Sequence, residues 1–254
     1  MIAIGTAGWS IPRAVAPAFP GDGSHLERYS RVLPSAEINS SFHRPHAHAV
    51  YARWAAATPA DFRFSVKLPR TITHEGELRR ARRPLEVFLR EQASGLGEKL
   101  GPLLVQLPPS LLFNPRVARP FFAAIRDLHA GSVVCEPRHE SWFGGQAEEL
   151  MMTYRVARVA TDPSRIRAAL TPGGWRGAPE DPSIRPLVYY RLHGSPRKYW
   201  SRYDPARLER WADELVGFNG TMDVWCIFDN TASGAAAANA LEMSALVRSP
   251  PGSG

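Results

Sequence analysis

Polar side chains gather at one end of a series of short apolar runs in this sequence. Glu37 and Asn39 end one run, Ser65 and Lys67 another, and Gln106, Glu136 with Arg138, Arg158 with Asp162, Arg191 with His193, and Asp229 with Asn230 end five more. Carboxylates at a partly buried strand end can have their proton affinities moved toward neutrality, which makes Glu37, Glu136 and Asp162 candidate bases and His193 a candidate acid. Arg138 and Arg191 offer planar forks suited to a phosphate or carboxylate, and Lys67 adds a compact charge. Asn39, Gln106 and either Asp229 or Asn230 complete a polar ring. Trp9 and Trp142, with Phe42 and Tyr189, lie near the same ends, where aromatic faces beside cations suit a sugar ring or a nucleobase. The chemistry expected is that of a hydrolase, lyase or isomerase acting on an anionic small molecule.

The same residues admit a plainer account. Lys67, Arg138, Arg191 and His193 can neutralise the acids, and a balanced buried network can specify a fold without performing a reaction. Taken singly, each acid reads as an ion-pair partner; taken as a ring, they read as a functional cleft. The sequence has no HExxH motif, no paired cysteines and no short metal-ligand spacing, so neither a metal nor a cofactor is expected. A metal would need Glu37, Glu136, Asp162, His193 and Asp229 to converge from separate strands. Asp229 to Gly234 precedes an alanine-rich stretch, where backbone N–H groups could take a phosphate or Thr231 or Ser233 could simply cap a helix. Arg79, Arg80, Arg82 and Arg83 could meet a nucleic-acid backbone or form a solvated helix start.

These side chains meet only if the chain folds to bring separate runs side by side. Eight β-type runs are expected: Ile2 to Thr6, Ala36 to Asn39, Phe62 to Leu68, Leu103 to Leu107, Val133 to Pro137, Val156 to Asp162, Leu187 to His193 and Val224 to Phe228. Helical stretches alternate with them: Ala47 to Ala57, Pro84 to Ser94, Pro115 to His129, Gln146 to Tyr154, Pro205 to Gly217 and Gly234 to Val247. Repeated β/α units build a parallel sheet, and 254 residues is the usual size for a complete barrel. The fold class expected is α/β, a single TIM-type (β/α)8 barrel over residues 1–248 with a disordered tail at 249–254. In the seventh run alternation turns Tyr189, Arg191 and His193 inward, and Val188, Tyr190 and Leu192 toward the helices. The Pro- and Gly-rich stretch Thr171 to Pro186 reads as a long loop.

Composition limits the setting. No apolar run approaches the ~20 residues that span a bilayer, and the N-terminus has no leader pattern, so a cytoplasmic protein with no membrane partner is expected. Cys135 and Cys226 fall inside apolar runs and read as buried thiols rather than a disulfide. The net charge of +7 favours an anionic partner, either a small molecule or a nucleic acid. Arginine outnumbers lysine 28 to 3, which a compositional preference of the source could also produce.

Six stretches in order resemble the YecE-like family, domain of unknown function 72. They are Ile4-Gly5-Thr6-Ala7-Gly8-Trp9-Ser10, Glu37-Ile38-Asn39-Ser40-Ser41-Phe42, Phe64-Ser65-Val66-Lys67 with Thr73-His74, Leu100 to Ser110, Glu136-Pro137-Arg138-His139 with Ser141-Trp142, and Tyr190-Arg191-Leu192-His193-Gly194. The resemblance runs across nearly the whole chain and implies a TIM-type barrel without assigning a reaction. Likeness to the endonuclease IV and xylose isomerase barrels, suggested for such proteins, is one of fold alone. Ile11 and His43 stand where that family commonly has tyrosine, Pro137 where it has phenylalanine, and Asp229 where a second asparagine is usual. A third role, a barrel used as an interaction scaffold, would show as a mouth plugged by Trp9 and Trp142.

Overall fold

Strands form where residues alternate between two buried faces, one toward a barrel interior and one toward covering helices. A computed structural model describes residues 1–175, 177, 186–218 and 220–248. Its strands are β1 (Ile2–Ala7), β2 (Ser35–Ile38), β3 (Arg63–Lys67), β4 (Leu100–Gln106), β5 (Val133–Glu136), β6 (Val156–Arg158), β7 (Ala160–Asp162), β8 (Gly173–Gly174), β9 (Leu187–Leu192) and β10 (Asp223–Phe228). They form one sheet in the order β7-β9-β10-β1-β2-β3-β4-β5-β6-β8. All pairings are parallel except the short β6–β8 ladder at Ala157 and Arg158.

The barrel closes through one run. β6 pairs with β5 and β7 pairs with β9, while Val159 between them donates its N–H to the Cys135 carbonyl at 2.8 Å. Counted as a single strand, 156–162 completes eight parallel strands, the eight expected from the sequence. The architecture is a single TIM-type barrel.

The helices are α1 (His25–Ser30), α2 (His48–Ala56), α3 (Arg82–Glu86), α4 (Pro115–Leu128), α5 (Gly145–Thr153), α6 (Pro205–Gly217) and α7 (Ala235–Arg248). Pro115 and Pro205 occupy first-turn positions, where a missing N–H costs nothing, and Asn114 and Asp204 accept the orphan N–H groups of Arg116 and Arg207 at 3.0 Å. The sequence reading passes over α1, although its Ser24-x-x-Glu27 capping box is a recognisable start signal. No α-helix lies between β7 and β9 among the described residues; a 3-10 turn (Arg167–Leu170) and β8 stand there. The expected loop Thr171 to Pro186 lies partly, and the expected tail 249–254 wholly, outside the described residues.

Two apolar clusters separate the faces. A small one inside the barrel holds Ala3, Leu104, Val134, Ala157, Tyr189 and Trp225, among others. The larger one, between sheet and helices, holds Val188, Tyr190, Leu192, Cys135 and Cys226. Trp225 stacks on Tyr189 and presses against Gly101, where an added Cβ would come within 2.8 Å of the indole. The interior is therefore plugged with apolar groups below and is polar only above. Both cysteines are free and buried, and burial pushes their thiols up, away from reactivity. Among the described residues no helix is long and apolar enough to cross a membrane.

Candidate functional site at the barrel mouth

β9 sets the height of the site. Its ladders continue one residue past each strand end, with the His193 N–H on the Asp162 carbonyl at 2.7 Å and the Asp229 N–H on the Leu192 carbonyl at 2.8 Å. Tyr189, Arg191 and His193 point inward, as alternation requires. The Tyr189 hydroxyl lies 2.9 Å from Glu37 Oε2 and 2.8 Å from Ser65 Oγ.

Arg191 is fully buried and serves three carboxylates. Its Nε and Nη2 clamp Glu37 at 3.0 and 2.7 Å, its Nη2 also reaches Asp229 at 3.0 Å, and its Nη1 meets Glu136 at 2.5 Å. The planar fork suits this arrangement because several N–H groups leave one plane in fixed directions. Glu136 also accepts from Arg138 Nε at 2.9 Å. Burial opposes its charge, but Arg138 and Arg191 outweigh burial and hold Glu136 well below the usual 4.5. Asp229 is likewise pulled below its ordinary value, Arg191 and His193 overcoming burial.

Above this clamp the groups are less committed. His193 Nδ1 lies 3.0 Å from Asp229 Oδ2, while its Nε2 is buried without a hydrogen-bond partner among the described residues and faces Glu136 Oε1 at 3.5 Å. Asn39 Oδ1 is buried and unpartnered in the same sense. Lys67 is 7% exposed, sits 3.9 Å above the centre of the Phe42 ring, and pairs with no carboxylate among the described residues. Burial first, and Arg191 second, lower its amine to about 8. Lys198, half-buried near Arg138, is also lowered to about 8, mainly by burial. His74, in the π-helical turn Thr71–Glu75 after β3, is pushed down to about 4 by burial and by Lys67 and Arg138. Tyr199 roofs the site, its ring edge-on to His193 and its hydroxyl accepting from Arg138 Nη2 at 3.0 Å. Its φ of +65° is a left-handed conformation that a bulky residue rarely adopts.

Glu37, Asn39, Lys67, Gln106, Glu136, Arg138, Arg191, His193 and Asp229 thus share the strand-end ring, Gln106 standing beside Glu136 in register. Five expected members do not. Asp162 faces the helices, where Tyr203 donates to it at 2.9 Å and Arg207 at 2.5 Å. In that run Ala157 and Val159 fill the interior, so Arg158 and Asp162 take the outer face, and Arg158 binds Glu148 at 3.2 Å and the Ala168 carbonyl at 2.7 Å. Asn230 is turned to α7 and donates to Asn239 and to the Ser201 carbonyl, both at 2.9 Å, because Trp225 and Ile227 already assign the inward parity to Asp229. Trp142 is buried in the outer core with its indole N–H on the Leu111 carbonyl at 2.9 Å. Trp9 packs edge-on against Trp54 and Phe64 in the same layer. Neither tryptophan plugs the mouth, so the arrangement expected of a scaffold is not the one found.

Sequence reasoning missed Lys198 and Tyr199. They lie on the loop that follows β9, and the rule that barrel sites are built from the loops after the strands is the signal that would have found them. The three inner carboxylates turn toward Arg191, and among the described residues no three His, Cys, Asp or Glu side chains are grouped as metal ligands.

Comparison with known proteins agrees with this architecture. Residues 3–252 match the model of the family described as protein of unknown function DUF72. The chain is 30% identical to UPF0759 protein YecE of Escherichia coli K12 over 66% of its own length, and the match spans 62% of that protein. It is 24% identical to UPF0759 protein YunF of Bacillus subtilis, with 97% of this chain and 95% of YunF covered. Crystal structures of DUF72 family proteins from Thermotoga maritima (TM-score 0.77, 23% identity, 98% and 99% of the two chains) and Enterococcus faecalis (0.76, 21%, 98% and 96%) share the fold. With an eight-stranded barrel and a family match over almost every residue, this chain belongs to the DUF72 family.

Proposed function

We infer that this protein is an enzyme acting on a small anionic substrate held at the barrel mouth. The observation that carries the reading is a buried amine that makes no direct ion pair: Arg191, Arg138 and Lys67 match the three carboxylates Glu37, Glu136 and Asp229 in number, but Lys67 touches none of them. A buried charge without a partner is costly, so it points to a partner that arrives from solution. Arg138, Lys67 and Lys198 would grip a phosphate, sulfate or carboxylate group, and Phe42 would wall the remainder of the substrate. The His193–Asp229 pair would move protons, Asp229 fixing the ring and leaving Nε2 for the substrate. This division of labour suits a hydrolase, lyase or isomerase.

Calorimetry with inorganic phosphate, sulfate and small carboxylates tests the reading. Binding to the native protein and a loss of about tenfold or more in Arg138→Gln are expected, one charge-assisted contact being worth about 1.5–3 kcal/mol. Absence of binding for every anion, or full binding by Arg138→Gln, would count against it. A screen of phosphoesterase and glycosidase activities would then sort the reaction class.

A second reading, nucleic-acid binding, draws support from the +7 charge and from an outer groove of about 490 Å³ bordered by Arg79, Arg80, Arg82 and Arg116. It requires affinity for DNA or RNA that falls steeply with salt.

A further inference from the structure

We propose that Lys67 is a covalent nucleophile whose amine condenses with the carbonyl group of an anionic aldehyde or ketone to form a Schiff base; the assignment rests on the reading of the mouth as an anion site. Three independent features support it. The first is placement. Lys67 ends β3 inside the ring, nearly buried, over the face of Phe42 and without an ion-pair partner among the described residues. Lys67 is the third cation against three carboxylates and feels Glu37, Glu136 and Asp229 through space, but guanidinium groups hold the direct contacts with all three.

The second feature is composition. This chain uses arginine for 28 of its 31 basic residues, so a position that needed only a permanent cation would be expected to carry arginine. Lysine differs in being able to lose its proton and attack a carbonyl, which a guanidinium cannot do. The other two lysines are placed differently. Lys99 is held by the carbonyls of Ala55 and Thr58, both at 2.6 Å, and Lys198 lies on the loop over the mouth against the Tyr199 ring.

The third feature is the company Lys67 keeps. Arg138 and Lys198 can hold the anionic end of a substrate, while His193, oriented by Asp229, has an Nε2 that makes no hydrogen bond among the described residues and faces Glu136 at 3.5 Å, a pair able to relay protons. The low dielectric that lowers the amine to about 8 also keeps a usable share of it neutral near neutral pH. The neutral amine adds to the carbonyl carbon to give a carbinolamine. Loss of water then replaces C=O by C=N, the oxygen leaving with the two protons given up by the nitrogen, one of them relayed by His193. No electron is gained or lost.

The chain has only three lysines, so reductive trapping reads out cleanly. The native protein would be incubated with glyoxylate, a small anionic aldehyde, and sodium cyanoborohydride, then digested and mapped by mass spectrometry, with phosphate binding measured in parallel by calorimetry. The adduct is expected on Lys67 about tenfold faster than on Lys99, Lys198 or the N-terminal amine, to be slowed by added phosphate, and to vanish from that peptide in Lys67→Arg. Phosphate binding with Lys67 unlabelled, or labelled no faster than the other amines, overturns the covalent role and leaves the anion site standing. Neither binding nor an adduct overturns both. The map of the native protein decides the matter even if the variant fails to fold.

Discussion

Two buried charge networks lie on opposite faces of the same barrel, and they are finished to different degrees. On the outer face, Arg158 is shared between Glu148 and the carbonyls of Ala168 and Thr171, and Asp162 is closed by Tyr203 and Arg207. Each of these charges meets an opposite charge, with further hydrogen bonds filled by hydroxyl or backbone groups. On the inner face, Arg191 satisfies three carboxylates, but Lys67 stands unpaired above it, and His193 Nε2 and Asn39 Oδ1 lack partners among the described residues. Among the described residues Ser35, Tyr51, His129, Thr161 and Asn230 also carry buried polar atoms without a hydrogen-bond partner. What separates the two faces is therefore the buried amine of Lys67 without an ion pair, at the mouth end of the barrel, rather than the number of such atoms. The left-handed Tyr199 lies at that same end, where backbone strain and function often coincide.

Substitutions break or sharpen this contrast, and the largest effect is expected at its centre. Arg191→Met would leave Glu37 and Asp229 without a guanidinium and Glu136 with Arg138 alone, a loss of about 5 kcal/mol or more given that breaking one buried pair costs about 3–5 kcal/mol. Urea unfolding, or failure to obtain folded protein by circular dichroism, measures it. A loss below 1 kcal/mol would show that the inner clamp is not what holds the barrel top.

Lys67→Met is expected to act in the opposite direction, weakening anion binding while raising stability. Carrying a charged amine into the site is costly, and a fall from 10.5 to about 8 corresponds to a gain of up to about 3 kcal/mol on its removal. The sign with pH follows from proton counting. Between about 8 and 10.5 the unfolded chain binds more protons than the folded one, so native stability rises through that window. The advantage of Lys67→Met is therefore fully present below pH 8 and fades as pH climbs toward 10.5. Thermal or urea midpoints of the two proteins across pH 6 to 10.5 test this; a variant less stable than the native protein at pH 7 contradicts it.

The smallest effect belongs to the outer network. Asp162→Asn weakens the contact with Arg207 and should cost about 1–2 kcal/mol in urea unfolding while leaving phosphate affinity unchanged. A tenfold loss of affinity in this variant would erase the distinction between the two faces.

Much of the framework is legible in the chain itself. All eight strands can be placed because burial on both faces of a barrel strand leaves short apolar runs punctuated by turns, and proline with a preceding Asn or Asp marks the starts of α4 and α6. The inward parity of Tyr189, Arg191 and His193 can also be read, since every outward residue between them is apolar or aromatic. The same logic fails at 156–162, where polarity alone suggests that Arg158 and Asp162 face inward. Their direction depends on what covers the outside, and there Glu148 and Arg207 wait for them.

Sequence alone determines the number of strands, the end of the barrel that is polar and the residue types gathered there, because these follow from local periodicity. Tertiary structure decides who pairs with whom. Arg191 is 154 residues from Glu37 and 55 from Glu136, and no local pattern tells which carboxylates it will claim. Nor does any tell that Lys67 is left over, or that Lys198 and Tyr199 close above it. Charge pairing depends on distances of a few ångströms between groups far apart in the chain, and the closed sheet alone sets those distances.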